Sequence, residues 1–334
     1  MGSEELIKRR FIIMVGICGS GKSTHAVWLK NKIKDEYPEY DQLGEANETE
    51  IISSDSIREE VFGDVNDQTH NQQVFAEVRK RAIEAIKNKK HVIIDATGLT
   101  IKDRRSAISY FDAVSTYRKW YNIEACVMTT EIQECRRRNK ERDRVVPNEV
   151  ITKQIHKFEI PFYGEGFNKI YFDSTYRLSR HNEAKWKKIE DMMKGFDQRN
   201  PHHKYDLWTH CNKTAEYLMQ EIGESLFRDV GRLHDIGKLF TATPKDDLSG
   251  EYRYLSHHNV GAYYLLTNLD ILPYIDFDRA LSLIFYVNYH MFPFFWENDK
   301  TKDKYIKLFG EERYERLVII NECDKKASGT ENEN

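Results

Sequence analysis

The segment Gly16-Ile17-Cys18-Gly19-Ser20-Gly21-Lys22-Ser23 constrains this 334-residue chain more than any other. Its glycines let several backbone N–H groups turn toward one point, and the helix that starts inside it aims its positive end there. Such a loop captures an anion, typically a polyphosphate. The pattern GxxxxGKS needs an apolar strand before it and a helix behind it. Both are present: residues 10–15 form an apolar run, and Ala26, Leu29 and Ile33 recur at helical spacing over 23–34. Lys22 reaches the β and γ phosphates of a nucleotide and the Ser23 hydroxyl coordinates Mg²⁺. Gly16, Gly19, Ser20, Gly21 and Thr24 complete the cradle.

Strands and helices alternate beyond this loop. A polar stretch at 37–50 reads as a loop before a strand at 50–53. Phe75, Val78, Ala82, Ile83 and Ile86 mark an amphipathic helix over 75–87 that leads into a strand at 91–95. A helix around 103–111 precedes a strand at 121–128, and a last strand falls at 169–172. This order predicts a three-layer α/β domain built on a parallel sheet. From residue 183 strand-like alternation gives way to helical patterns up to about residue 324, so the expectation is two domains: an α/β domain over 1–182 and an all-α domain over 183–334. The tail, 327–334, is expected to fray.

Three segments refine the first half. Ile52-Ser53-Ser54-Asp55-Ser56-Ile57-Arg58 places a carboxylate just past the end of a strand, where open α/β sheets bind ligands. There Asp55 is able to accept a proton from an attacking hydroxyl or to cap the next helix, and Arg58 to hold a substrate phosphate. A second strand ends in Asp95-Ala96-Thr97-Gly98. Residues 136–144 then concentrate five arginines, and the spacing of four between Arg138 and Arg142 puts both on one helix face, as a lid over transferring phosphates requires.

The second half offers His210, the pair His234-Asp235, His257-His258, His290 and Asp324, all on expected helices or their ends. Imidazoles and carboxylates held at fixed points on helices are the ligands of a divalent metal or metal pair. In Arg232-Leu233-His234-Asp235-Ile236-Gly237-Lys238 the His and Asp bind metal, Gly237 allows a tight helix end and Lys238 meets a phosphate. His202 and His203 stand ready to assist substrate or cap a loop. The stretch 286–296 packs many aromatics around His290, most of them expected in the core and one or two available to stack on a nucleobase.

Composition limits the partners. The chain carries 51 Lys and Arg against 54 Asp and Glu; up to Lys185 the count is 31 against 29, beyond it 20 against 25. A protein that coats nucleic acid by bulk charge is more basic, so any polynucleotide is held by local clusters, at an end. No apolar run reaches about 18 residues, which predicts a cytoplasmic protein with no membrane partner. Five cysteines without a CxxC pair argue against a disulfide framework or a thiolate metal site.

Taken in order, GxxxxGKS, SSDxxR, DAT and RRNxxRxRxVP resemble the P-loop polynucleotide 5′-kinase family over about residues 10–175. The resemblance implies ATP or another NTP with Mg²⁺ as donor, Asp55 as general base for a 5′-hydroxyl, Arg58 on the 3′-side phosphate, and Arg138 and Arg142 as lid arginines on the donor. Gly98 stands where members commonly carry Asn. The order His210, His234, Asp235, His257, His290, Asp324 resembles the HD superfamily of metal-dependent phosphohydrolases over about residues 198–328. Residues 200–210 and 257–262 look most like the HD modules of tRNA nucleotidyltransferases. This implies one or two divalent ions (Mn, Mg, Ni, Co or Fe), with His257 rather than His258 as ligand. The joint expectation is a bifunctional enzyme acting on RNA or DNA ends, phosphorylating 5′-hydroxyls and removing a 3′-phosphate or 2′,3′-cyclic phosphate, with a separate ligase downstream. Two alternatives stay open: a nucleoside or nucleotide kinase fused to a nucleotide phosphohydrolase, and a binding module whose second half has lost catalysis.

Overall fold

A computed structural model of the protein describes residues 8–37, 47–67, 69–142, 144–173, 181–246, 249–273, 275–296 and 299–329. Most of the polar stretch at 37–50 and the end of the tail lie outside these residues. The chain forms two compact units, residues 1–148 with 165–176 and residues 149–164 with 177–334.

Near-continuous apolar runs build the first unit's sheet, because strands covered by helices on both faces are buried on both sides. Strands β1 (Arg9–Val15), β2 (Thr49–Ser53), β3 (His91–Asp95), β4 (Tyr121–Val127) and β5 (Lys169–Phe172) pair in the order β2-β3-β1-β4-β5, every pairing parallel. Helix α1 (Lys22–Glu36) packs Ala26, Leu29 and Ile33 against Ile12, Met14 and Ile93. Helix α2 (Ser54–Phe62) follows β2 without a gap; its cap is Ser53, whose hydroxyl accepts from the Ser56 amide, so Asp55 is not needed as a cap. Helix α3 (Asn71–Lys87) begins four residues earlier than its apolar pattern suggests, and its buried stripe is Val74, Val78, Ala82, Ala85 and Ile86. Phe75, expected on that stripe, is 46% exposed. Helices α4 (Ile101–Ile108) and α5 (Ile132–Lys140) complete the unit. Because β1 is central and the chain leaves it toward opposite sides, the C-terminal edge at β1 is the crevice where such sheets bind ligands.

Among the described residues, the regular structure of the second unit is helical except for a two-residue ladder between Thr243–Pro244 and Tyr252–Arg253. It takes in helix α6 (Asn148–Ile155) from residue 149 and the segment after it. This departs from the expected boundary at 182 and 183, and the reason is packing. Phe158 meets Tyr263 edge-on at 5.3 Å, and Phe162 sits among Phe285, Tyr289 and Phe309. Asn288, fully buried, accepts from the Ile160 amide and donates to the Phe158 carbonyl, while the Tyr289 hydroxyl donates to the Ile160 carbonyl. The remaining helices are α7 (Glu183–Met193), α8 (Leu207–Glu221), α9 (Ser225–Leu233), α10 (Lys238–Thr241), α11 (His257–Thr267), α12 (Phe277–Tyr289), α13 (Asp299–Phe309) and α14 (Glu311–Ala327). No helix among the described residues is long and apolar enough to cross a membrane.

Candidate active sites

The first site lies along the C-terminal edge of the sheet. Gly19 and Gly21 have φ of 80° and 91°, values that only glycine adopts without strain. A Cβ at Gly19 would collide with the Cys135 carbonyl, so the loop packs directly on α5. The Gly16 amide donates to the Thr97 carbonyl, and the Ser20 carbonyl accepts from the buried Thr130 hydroxyl. Lys22 Nζ donates to the Ile17 carbonyl at 2.8 Å; burial pushes its amine down, and the nearby Cys18 and Asp95 pull it back up. Ser23 and Thr24 are exposed at the start of α1.

Gly98 acquires a structural role. Its φ is 54° and a Cβ there would stand 2.5 Å from the Met14 carbonyl, so a side chain would push the Thr97 segment off β1. That segment is anchored from behind. Arg104, fully buried, donates to the Gly98 carbonyl and forms a two-pronged ion pair with Glu165, whose side chain is equally inaccessible.

Asp55 stands on the first turn of α2 with its side chain half exposed. Arg58 Nη1 lies 2.8 Å from Oδ1, and Arg144 Nη1 lies 2.9 Å from Oδ2. Each arginine is fixed by an asparagine, Arg58 by Asn71 and Arg144 by Asn66. Asn139, 1% exposed, pairs through both side-chain ends with the backbone of Val146 and closes the loop that carries Arg144. Arg144 belongs to the arginine run, but local spacing assigns it no role, because its partner Asn66 lies 78 residues away in sequence.

The lid arginines divide. Arg138 is held by Glu134 and its Nη1 lies 3.3 Å from where a Gly21 Cβ would be, so it reaches the phosphate loop. Arg142 is exposed in the turn after α5 and makes no hydrogen bond or ion pair among the described residues.

The second site gathers its residues from five helices or their ends. Asp206 caps α8 by accepting from the Thr209 amide and so orients the turn that holds His210. His234 follows α9, which approaches α8 so closely that a Cβ at Gly231 would stand 2.5 Å from Ala215 Cα. Gly237 plays the same part between α10 and α11. Its φ is −64°, so it is not the helix-ending turn that the sequence suggested; glycine is required because a Cβ would overlap the His257 carbonyl.

Two groups of ligand atoms result, each within 4.8 Å of one another: His210, His234, Asp235 and Asp324, and Asp235, His257 and His290. Asp235 belongs to both. Its Oδ2 lies 3.3 Å from His210 Nε2 and 3.4 Å from His234 Nε2, its Oδ1 3.1 Å from His257 Nε2 and 3.7 Å from His290 Nε2. Asp324 Oδ1 stands 3.0 Å from His210 Nε2 and 3.4 Å from His234 Nε2. His234, His257 and His290 each place Nδ1 within 2.9 Å of a backbone carbonyl, of Gly231, Tyr254 and Val287. With the proton on Nδ1 their Nε2 lone pairs face inward, the tautomer that binds metal. The Nε2 atoms of His257 and His290 then confront each other at 3.2 Å, and those of His210 and His234 at 3.3 Å. Between His257 and His290 two lone pairs face each other beside the Asp235 carboxylate, which a cation between them relieves, and the donor set of imidazoles and carboxylates fits divalent metal.

The charges in this cluster compete for protons as they would for a cation. Burial drives the Asp235 carboxyl upward, but Lys238 and His234 outweigh it and hold it well below the usual carboxylate range. Asp324 is likewise held low, burial being overcome by His210 and His234. Burial alone would lower His234, yet Asp235 raises it well above the ordinary imidazole value. Lys238 Nζ lies 2.6 Å from Asp235 Oδ2 and donates to Gln198 Oε1 at 2.8 Å. His203 Nε2 is 3.1 Å from the same ammonium, and its ring meets His210 edge-on at 4.7 Å, whereas His202 is exposed. His258 stays outside both groups, its ring perpendicular to those of His257 and His290. Tyr286 and Tyr289 are buried as core, while Phe294 and Phe295 are exposed.

Residues 11–161 match the family model described as an AAA domain. With the phosphate loop at the edge of a parallel sheet, this supports a P-loop phosphotransferase in the first half. No curated protein matches the chain. Among solved structures, a chain of the Pnkp1/Rnl/Hen1 RNA repair complex aligns at 22% identity over 46% of this chain and 45% of that one, with a TM-score of 0.34. A second structure of the Pnkp1/Rnl/Hen1 complex aligns at 27% identity, over 40% of each chain, TM-score 0.28. A gluconokinase from Sinorhizobium meliloti 1021 aligns at 16% identity over 51% of this chain and 85% of that one, TM-score 0.31. The chain thus spans less than half the length of the first two.

Proposed function

We propose that the chain heals polynucleotide ends. The half expected over 1–182 transfers the γ-phosphate of ATP to a 5′-hydroxyl of RNA or DNA, and the half expected over 183–334 acts as an HD-type phosphohydrolase on a 3′-phosphate or 2′,3′-cyclic phosphate. The observation that carries this reading is Asp55 held between Arg58 and Arg144 in the unit that bears the phosphate loop. A base alone serves any hydroxyl acceptor; two guanidinium groups around it suit an acceptor that carries a phosphate beside its hydroxyl. In the transfer, the hydroxyl oxygen attacks the γ-phosphorus, the bond to the β-phosphate oxygen breaks, ADP leaves and the proton passes to Asp55. Lys22 and the cradle of Gly16, Gly19, Ser20, Gly21 and Thr24 bind the donor. Arg138 and Arg142 close over it, and Ser23 would hold Mg²⁺, which when bound neutralises charge on the donor phosphates.

In the second unit His210, His234, Asp235, His257, His290 and Asp324 hold one or two divalent ions, which when bound supply Lewis acidity toward the phosphate. Lys238 neutralises a phosphate oxygen beside them, and the Nδ1 contacts fix the histidine orientations. The product, with a 5′-phosphate and a 3′-hydroxyl, is the substrate of a ligase, which is the partner this reading implies. The test uses labelled ATP with 5′-hydroxyl RNA and DNA oligonucleotides, and 3′-phosphorylated oligonucleotides with Mg²⁺, Mn²⁺, Ni²⁺ or Co²⁺. Asp55→Ala abolishes transfer and spares phosphate release; His234→Ala with Asp235→Ala does the reverse. Label on free nucleosides but not on oligonucleotides sinks the polynucleotide reading, and loss of both activities in either folded variant sinks the two-site one.

A further inference from the structure

The large apolar side chains that the second unit leaves in water are not scattered. Of eight such residues among those described, five stand on the segments that build the ligand cluster. Tyr205 is two residues past His203, Phe240 two past Lys238, Leu255 two before His257, and Phe294 and Phe295 four and five past His290. Exposed apolar side chains are thus concentrated on the segments that supply the cluster.

One group of them is aromatic and basic together. Phe294 and Phe295 are 41% and 61% exposed. Lys325 Nζ lies 4.8 Å above the Phe294 ring, and Lys325 follows the candidate ligand Asp324 on α14, so ring and ammonium stand on the same two chain segments that supply His290 and Asp324. The end of α14 is tied to the loop bearing His203 and Tyr205, because the Lys204 amide donates to the Ser328 carbonyl and Gly329 packs on the Tyr205 ring. Tyr205 has its own cation, Lys213 Nζ at 4.9 Å. Behind Phe295, Trp296 stacks on Tyr314 at 4.3 Å and 16°, which fixes the short helix carrying both exposed rings.

Exposed rings interleaved with lysines bind single-stranded nucleic acid: the rings stack on bases and the ammonium groups take phosphates. A protein partner would need acidic and apolar side chains placed together to match this surface, whereas a nucleic-acid strand supplies a base face and a phosphate in every nucleotide. We propose that Phe294, Phe295 and Lys325 form a subsite for the last nucleosides of a single-stranded 3′ end. A base stacks on the exposed rings and Lys325 takes the internucleotide phosphate, leaving the terminal phosphate at the metal ligands. The proposal rests on the phosphohydrolase reading for its substrate, yet strand binding tests it separately.

The test compares the full chain with Phe294→Ala/Phe295→Ala and Lys325→Ala. Each is titrated against a single-stranded hexanucleotide whose 5′ end is blocked by fluorescein, followed by anisotropy. The double variant is expected to bind roughly 5- to 150-fold more weakly, the factor that stacking one base supplies. Lys325→Ala is expected to lower the salt dependence of binding by about 0.7 in log–log slope, the value for one phosphate of a single strand. Equal strand affinity in wild type and double variant overturns the proposal and leaves the exposed rings to a protein partner. With Mn²⁺, the ratio of kcat/KM for a 3′-phosphorylated hexanucleotide to that for p-nitrophenyl phosphate is expected to fall by the same factor. Wild-type protein that binds the strand through these residues but releases phosphate from neither compound contradicts the phosphohydrolase reading alone.

Discussion

Replacing Gly237 by alanine tests how the second site is assembled. A Cβ at this position would stand 1.9 Å from the His257 carbonyl oxygen and 2.7 Å from the Gly261 amide nitrogen. Ordinary contact begins at 3.4 Å, so α10 and α11 must separate by about 1.5 Å. His257 is the first residue of α11 and moves with it. Its Nε2 now lies 3.1 Å from Asp235 Oδ1, and a shift of this size takes it out of reach of an ion shared with that oxygen. Overpacking of this kind costs about 1–3 kcal/mol, against a typical stability of about 5–15 kcal/mol, so the fold survives. A misplacement near 1 Å costs on the order of 100-fold in rate. On the proposed function, the expected outcome is a folded protein with about 100-fold less phosphate release, weaker metal binding at His257 and His290, and unchanged kinase activity in the other unit. His210, His234 and Asp324 lie on other elements and keep their geometry. Gly261→Ala is the milder companion, its Cβ meeting the Gly237 nitrogen at 3.1 Å. Metal content after dialysis, melting by circular dichroism, phosphate release and phosphate transfer from labelled ATP measure these outcomes in both variants. Full metal content and full activity in folded Gly237→Ala would refute the argument.

Arg104→Met leaves Glu165 as a buried carboxylate without its guanidinium, which costs about 3–5 kcal/mol and lowers the melting of the first unit by about 10 °C; a shift below about 2 °C contradicts it. Arg144→Ala removes one of two charged contacts to Asp55, and the kcat/KM advantage of a 3′-phosphorylated nucleoside over the free nucleoside is expected to fall about 10-fold, while an unchanged ratio rules Arg144 out of acceptor binding. His91, fully buried, is pushed down to about 3 by burial, with Arg9 and Arg10 adding to the effect. Between its unfolded value near 6.5 and about 3 the unfolded chain therefore binds the extra proton, and stability falls with acid by up to about 1.4 kcal/mol per pH unit. His91→Asn keeps an acceptor for the Arg10 amide and is expected to flatten denaturation midpoints between pH 6 and 4, so an unaltered slope excludes His91 as the cause.

Local pattern carried the sequence a long way. The strand–loop–helix around Gly16 to Ser23, the strands before Asp55 and Asp95, and the helices bearing His210 to Asp324 follow from periodicity, because apolar spacing reports directly which face of an element meets a core. The candidate metal-binding residues were legible as types in order, since imidazole and carboxylate chemistry shows in the sequence. Their convergence was not: Asp235 shared between two groups depends on Gly231 and Gly237, whose need for glycine arises from helices crossing rather than from turns. Arg144 on Asp55, Arg104 on Glu165, and residues 149–164 packing with the second unit join positions from 61 to 130 apart. No local spacing encodes such pairs. Phe158, Ile160 and Phe162 read as apolar, but hydrophobic burial is non-directional, and only the shape of the available core decided which of two units they complete.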